Sequence, residues 1–159
     1  MNVGPCLPPQ LTQAVRRALF VLACASVGGC GEDVLRFGER ADPTGPPVVE
    51  QLLLRESPSG RLVAGLSNQA TFSIAALPST GVGVEAVVTG LVDSVELMLD
   101  QDVIIEDDFP FIYPGDTIGK PNGFAPVLGE HRVTATPYSK PSAQGQRGPS
   151  VTAAFSFVE

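Results

Sequence analysis

From Val48 onward the chain alternates short apolar runs of strand length with clusters of Gly, Pro, Ser and Asn. A run of period two puts successive side chains on opposite faces of a strand. Val48 to Glu56 opens the series, and Ser57-Pro58-Ser59-Gly60 reads as a turn. Gln69 to Leu77 alternates, with Phe72 and Ile74 on one side and Thr71 and Ser73 on the other. Gly83 to Thr89 follows. Asp93 to Asp100 alternates most clearly, with Val95, Leu97 and Leu99 facing one way and Ser94, Glu96 and Asp100 the other. His131 to Tyr138 and Val151 to Val158 close the chain, the last lining Val151, Ala153, Phe155 and Phe157 on one face. Weaker strands fall at Asp102 to Ile105 and Pro110 to Tyr113.

No window sustains a helical period beyond two turns, and fifteen prolines with seventeen glycines in 159 residues work against long helices. About seven short strands separated by turn signals predict an all-β fold, a single antiparallel Ig-like β-sandwich. Alternation predicts one buried and one wet face for each sheet. The chain has no Trp, so Val, Leu, Ile and Phe must fill the core.

The first thirty residues follow a different pattern. Arg16 and Arg17 precede an apolar run, Ala18 to Val27, which ends in Gly28-Gly29-Cys30. The run is shorter than the roughly 20 residues that span a bilayer as a helix. Basic residues, a short apolar stretch and small residues before a cut site make a secretory signal. Val27-Gly28-Gly29-Cys30 resembles the lipobox of bacterial lipoproteins. That resemblance implies lipidation of Cys30, which becomes the new N-terminus. Cys24, after Val21-Leu22-Ala23, is the rival acceptor, but it leaves only six apolar residues behind Arg17. Arg16-Arg17 match twin-arginine export poorly, and Met1 to Gln10 suggest a start site further downstream. Gly31, where some sorted lipoproteins carry Asp, resembles outer-membrane sorting. The expected organisation is a signal peptide at 1–29, a lipidated Cys30 with a flexible tether to Pro47, and a sandwich domain over 48–159. The tether is rich in Gly and Pro and poor in apolar residues, apart from Val34, Leu35 and Phe37.

Charge and cysteine content narrow the function. All three cysteines lie in the first thirty residues, so the domain folds without disulfides and relies on apolar burial. Removal of the signal leaves eight basic against seventeen acidic residues, a net charge near −9. Nucleic acid needs clustered Lys and Arg, so it is not an expected partner. A cation or a neutral glycan is more compatible, and the expected partners are the membrane, through the N-terminal lipid, and an unidentified protein or glycan at the envelope.

The C-terminal half resembles an Ig-like module carried by bacterial exported proteins. Ser94-Val95-Glu96-Leu97-Met98-Leu99-Asp100 matches its S-V-x-F-x-L-D strand. Glu106, Pro110-Phe111 and Gly115-Asp116 match its loops, and Gly129 to Ser139, with Ala135-Thr136-Pro137-Tyr138-Ser139, matches its most specific strand. Asp107 replaces the usual Asn, Phe111 a Tyr and Phe124 a Trp. The resemblance spans Val48 to Glu159 and implies an accessory module rather than an enzyme.

Three candidate sites follow. Asp100, Asp102, Glu106, Asp107, Asp108 and Asp116 supply the hard oxygens that Ca2+ requires, though not at EF-hand spacing. The alternative is a solvated acidic edge that deters aggregation. Phe111 and Tyr113 offer rings for stacking on a sugar, against the alternative of hydrophobic capping. His131, the single histidine, is expected to pack on a sheet face. There is no G-x-S-x-G elbow to partner it, and a lone His makes a poor transition-metal site. Gly81 and Gly83 lack the Lys-Ser or Lys-Thr of a phosphate loop. Tyr138 is expected to pin a corner of the sandwich through its hydroxyl. The functional expectation is a non-catalytic, lipid-anchored cell-envelope protein with an interaction or structural module, and the alternative is a calcium-assisted glycan-binding module. A small hydrolase is disfavoured.

Overall fold

The computed structural model describes residues 44–159. The signal, Cys24, Cys30 and the tether up to residue 43 lie outside the described residues. Twelve strands are present among those described: β1 (Val48–Glu56), β2 (Leu62–Gly65), β3 (Ala70–Ser73), β4 (Val82–Thr89), β5 (Ser94–Leu99), β6 (Asp102–Glu106), β7 (Ile112–Tyr113), β8 (Asp116–Thr117), β9 (Lys120–Pro121), β10 (Gly129–Lys140), β11 (Gln144–Arg147) and β12 (Val151–Val158). They form a four-stranded sheet in the order β2-β1-β4-β7 and a larger sheet in the order β3-β12-β10-β5-β6, with β11 also on β10. β8 and β9 make a separate small ribbon. The fold is all-β and sandwich-like, with antiparallel pairing throughout except between β3 and β12, which run parallel.

The core lies between the sheets. Leu52, Leu54, Val84 and Ala86 face inward from one, and Val95, Leu97, Val133, Ala135, Ala153, Phe155 and Phe157 from the other. Burying a side chain of this size contributes about 1.5–3 kcal/mol, enough to replace the missing disulfides. One end is filled by aromatics: Phe72, Phe124, Phe155 and Phe157 meet at centroid distances of 5.3–6.5 Å.

Three departures from the expected pattern have local causes. Ser94 was expected on the wet side of β5 but is fully buried. Its Oγ donates to the Lys140 carbonyl (2.6 Å) and accepts from the Ala143 N–H (3.1 Å), so the β10–β11 turn closes over it. The strand expected over Gln69 to Leu77 ends at Ser73, and Ile74–Ala76 form a 3-10 turn closed by the Leu77 N–H on the Ile74 carbonyl (3.1 Å). The four-stranded sheet lacks a fully wet face: Leu53, Arg55, Glu85 and Ile112 are buried on the side away from the core cluster. At one end of that face the Asn122 and Tyr113 carbonyls come so close to Gly83 that an added Cβ would lie 2.9 and 3.0 Å from them.

Candidate functional site

The acidic residues gather around the β5–β6 hairpin. Its loop is two residues long, Asp100 and Gln101, with Leu99 opposite Asp102. Asp100 sits at φ +56°, a left-handed conformation that Asp tolerates better than most residues. Its carboxylate accepts the Arg132 N–H (2.8 Å) on Oδ1 and faces His131 Nδ1 (2.8 Å) on Oδ2. His131 Nε2 faces the Val127 carbonyl at 2.7 Å. A carbonyl only accepts, so Nε2 carries a proton, and the carboxylate favours a second proton on Nδ1. Burial works against the charged ring, but the bonds to Asp100 and Val127 outweigh it and raise the His131 pKa. Burial likewise opposes the Asp100 charge, and the bonds from His131 and the Arg132 N–H overcome it and lower the Asp100 pKa.

The imidazole packs on Phe155 and Phe157, with centroids 5.8 and 5.3 Å away, as expected for a strand histidine on a sheet face. A shallow hollow beside it is lined by Gln69, Asp100, Glu130, Arg132 and Ser156, among others. Both ring nitrogens are already taken, by a carboxylate and a carbonyl, so neither is left to activate Ser156 as a nucleophile.

At the other end of β6 the carboxylates have a different setting. Glu106 is pushed up to about 7, first by burial and then by repulsion from Asp116, Asp108 and Asp107. Three of the nearby acids are engaged in hydrogen bonds. Asp102 Oδ2 accepts the Tyr113 hydroxyl (2.6 Å), Asp107 accepts the Ser142 N–H (2.5 Å) and hydroxyl (3.2 Å), and Asp116 accepts the Gly119 N–H (2.5 Å). Among the described residues no three His, Cys, Asp or Glu side chains are placed to hold a metal ion together. Asp107, Asp108 and Asp116 lie near enough to Glu106 to repel its charge, but the five carboxylates considered for Ca2+, Asp102, Glu106, Asp107, Asp108 and Asp116, do not supply such a group. Three of them cap turns or a hydroxyl instead.

The stacking candidates are corrected by burial. Phe111 is 1% exposed and Tyr113 is 7% exposed, so neither presents an open ring face to a sugar. Phe111 packs edge-on against Phe109 at 5.9 Å and Tyr113 against Phe124 at 5.8 Å. Burial, then the Asp102 bond and charge, push the Tyr113 phenol up to about 12. Tyr138 does not form the expected hydroxyl bond among the described residues. Its main-chain carbonyl holds the corner, accepting the Asp93 N–H at 2.9 Å. The Tyr113 hydroxyl, by contrast, ties β7 to the start of β6 through Asp102.

Two features escaped the sequence reading. One is the buried pair in which Arg55 Nε donates to Glu85 Oε2 at 2.6 Å, with exposures of 1% and 3%. The signal available was one charge of each sign inside an apolar strand, Leu52-Leu53-Leu54-Arg55 and Val84-Glu85-Ala86. The other is the pair of exposed apolar side chains on the β6 edge, Val103 at 49% and Ile105 at 46%.

No family model, curated protein or solved structure matches this chain.

Proposed function

We propose that the protein is a non-catalytic, lipid-anchored component of a bacterial cell envelope, with its sandwich domain serving an interaction or structural role. The observation that carries this reading is the N-terminal pattern: Arg16-Arg17, the apolar run and Val27-Gly28-Gly29-Cys30, directly ahead of a polar, Pro- and Gly-rich stretch. Cys30 carries the acyl chains, residues 31–47 act as a spacer, and the domain stands off the membrane, which the Gly31 position suggests is the outer one. One acyl chain binds a membrane only marginally, so a stable anchor of this kind requires more than one. The saturated imidazole of His131 supports a non-enzymatic role. The glycan alternative is weakened by the burial of Phe111 and Tyr113 and by the engagement of Asp102, Asp107 and Asp116 in hydrogen bonds within the domain.

Fractionation of cells expressing the full chain tests the reading. The protein is expected to sediment with envelope membranes and to stay there through high-salt and alkaline washes. Cys30→Ser is expected to release it to the soluble fraction. A wild-type chain that washes off, or a Cys30→Ser chain retained as firmly as wild type, contradicts the anchor.

A further inference from the structure

β6 ends the larger sheet, and no described strand follows it. Its ladder with β5 runs unbroken through Leu99↔Asp102, Met98↔Val103, Leu97↔Ile104, Glu96↔Ile105 and Val95↔Glu106. A two-residue loop makes its flanking pair, Leu99 and Asp102, exchange both main-chain bonds, and the pairs alternate from there. The N–H and C=O of Val103 and Ile105 therefore point away from β5, toward the open edge. The side chains of these two residues lie on the outer face of the sheet and are 49% and 46% exposed. Edge strands are usually blunted by a charge, a proline or a bulge at such positions. β6 has none of these at its two outward residues, and the charge sits around them instead. Asp102 and Glu106 end the strand, Asp107 and Asp108 follow it, and Glu96 lies across from Ile105.

We infer that β6 is a docking edge that takes an extended basic and apolar segment of a partner protein as an added strand. Main-chain bonds to Val103 and Ile105 would supply affinity, and apolar side chains would cover Val103 and Ile105. Lys or Arg residues would answer the acids at both ends. The same acids exclude a second copy. Antiparallel β6–β6 pairing sets Asp102 against the Glu106–Asp108 end, acid on acid, and each exported chain carries a net charge near −9. This inference rests on the interaction-module reading and names the class of partner.

The test uses the full chain in detergent and a fluorescent ten-residue peptide of alternating lysine and valine, with a glutamate–valine peptide as control. Saturable binding of the lysine peptide is expected, weakening as salt rises. Hydrogen exchange is expected to show new protection at Val103 and Ile105. Ile105→Pro removes an N–H that serves no bond within the sheet, in a setting where an edge proline is tolerated. It should keep the melting transition and lose binding by roughly tenfold or more, the size of one or two main-chain bonds. If that variant unfolds, Val103→Lys with Ile105→Lys decides, with the same loss expected. Equal binding of the glutamate peptide, no saturable binding at low salt, protection elsewhere on the domain, or a concentration-dependent β6 dimer each overturns the inference. Failure of the lysine peptide on a chain that remains acylated at Cys30 leaves the anchor standing. Peptide binding by a chain that proves unacylated removes only the anchor.

Discussion

The two ends of β6 carry the same chemistry in opposite settings. At the hairpin loop, Asp100 has a main-chain N–H and an imidazole aimed at its two oxygens, and its pKa falls. At the far end, Glu106 is partly buried among Asp107, Asp108 and Asp116, and its pKa rises to about 7. Burial opposes ionisation at both and is the largest influence on each. At Asp100 the donors that converge on the carboxylate outweigh it and the charge is held, whereas at Glu106 the neighbouring acids add to it and the charge is expelled. The Arg55–Glu85 pair is the extreme of the first kind, because both charges are withdrawn from water and stand 2.6 Å apart.

Removing an answer to a carboxylate should therefore cost most where water cannot replace it. Arg55→Ala is expected to lower stability by about 3–5 kcal/mol in urea unfolding, the range for breaking a buried pair. Replacing Arg55 and Glu85 together by Met should cost much less, since the charges leave as a pair. A single-variant cost below about 1 kcal/mol would break the comparison at its strongest point.

Asp100→Ala comes next, at about 1–3 kcal/mol, for two lost hydrogen bonds and a residue poorly suited to φ +56°. Its pH dependence has a definite sign. The raised His131 pKa gives stability that is full below its ordinary 6.5 and fades as pH rises through the folded value. The lowered Asp100 pKa gives stability that is full above its ordinary 3.8 and fades as pH falls through the folded value. The wild type's advantage over Asp100→Ala should peak between those two values, and a flat difference from pH 3 to pH 9 would contradict it.

Glu106→Gln should act in the opposite direction and by the smallest amount. A carboxyl whose folded pKa is raised costs nothing below its ordinary 4.5, costs more as pH climbs toward about 7, and costs the full amount above that. The variant should match wild type at pH 4 and exceed it at pH 8 by about 1 kcal/mol, the shift being discounted for solvent screening. Equal stability at pH 8 would show that neither burial nor the neighbouring acids disfavour the Glu106 charge.

The longer strands were legible because their apolar parity survives folding. Val151–Val158 appears with the boundaries its alternation predicts, and Val48–Glu56 with those of its apolar run, although Leu52 to Arg55 are buried on both faces. β11 was invisible for the converse reason: Gln144, Gly145, Gln146 and Arg147 are all exposed and pair with β10 through main chain and through the Ser139 hydroxyl, which accepts the Gln146 N–H (2.8 Å). The parallel β3–β12 pairing is a matter of sheet order, which local pattern does not encode. At the site, the packing of His131 on the sheet was legible from its place in a strand. The setting of the acids was not, because sequence proximity does not distinguish carboxylates converging on a cation from carboxylates such as Asp102, Asp107 and Asp116 that accept protein N–H or O–H groups. Phe111 and Tyr113 posed the same problem for rings, and their packing settled it in favour of the core.

Intact mass of the protein purified from its native membrane, beside a Cys30→Ser variant, tests the central functional claim most directly. The expected result is a wild-type species beginning at Cys30 with added acyl mass, and no such species from the variant. A wild-type chain without acyl mass, or one beginning at another residue, would contradict it.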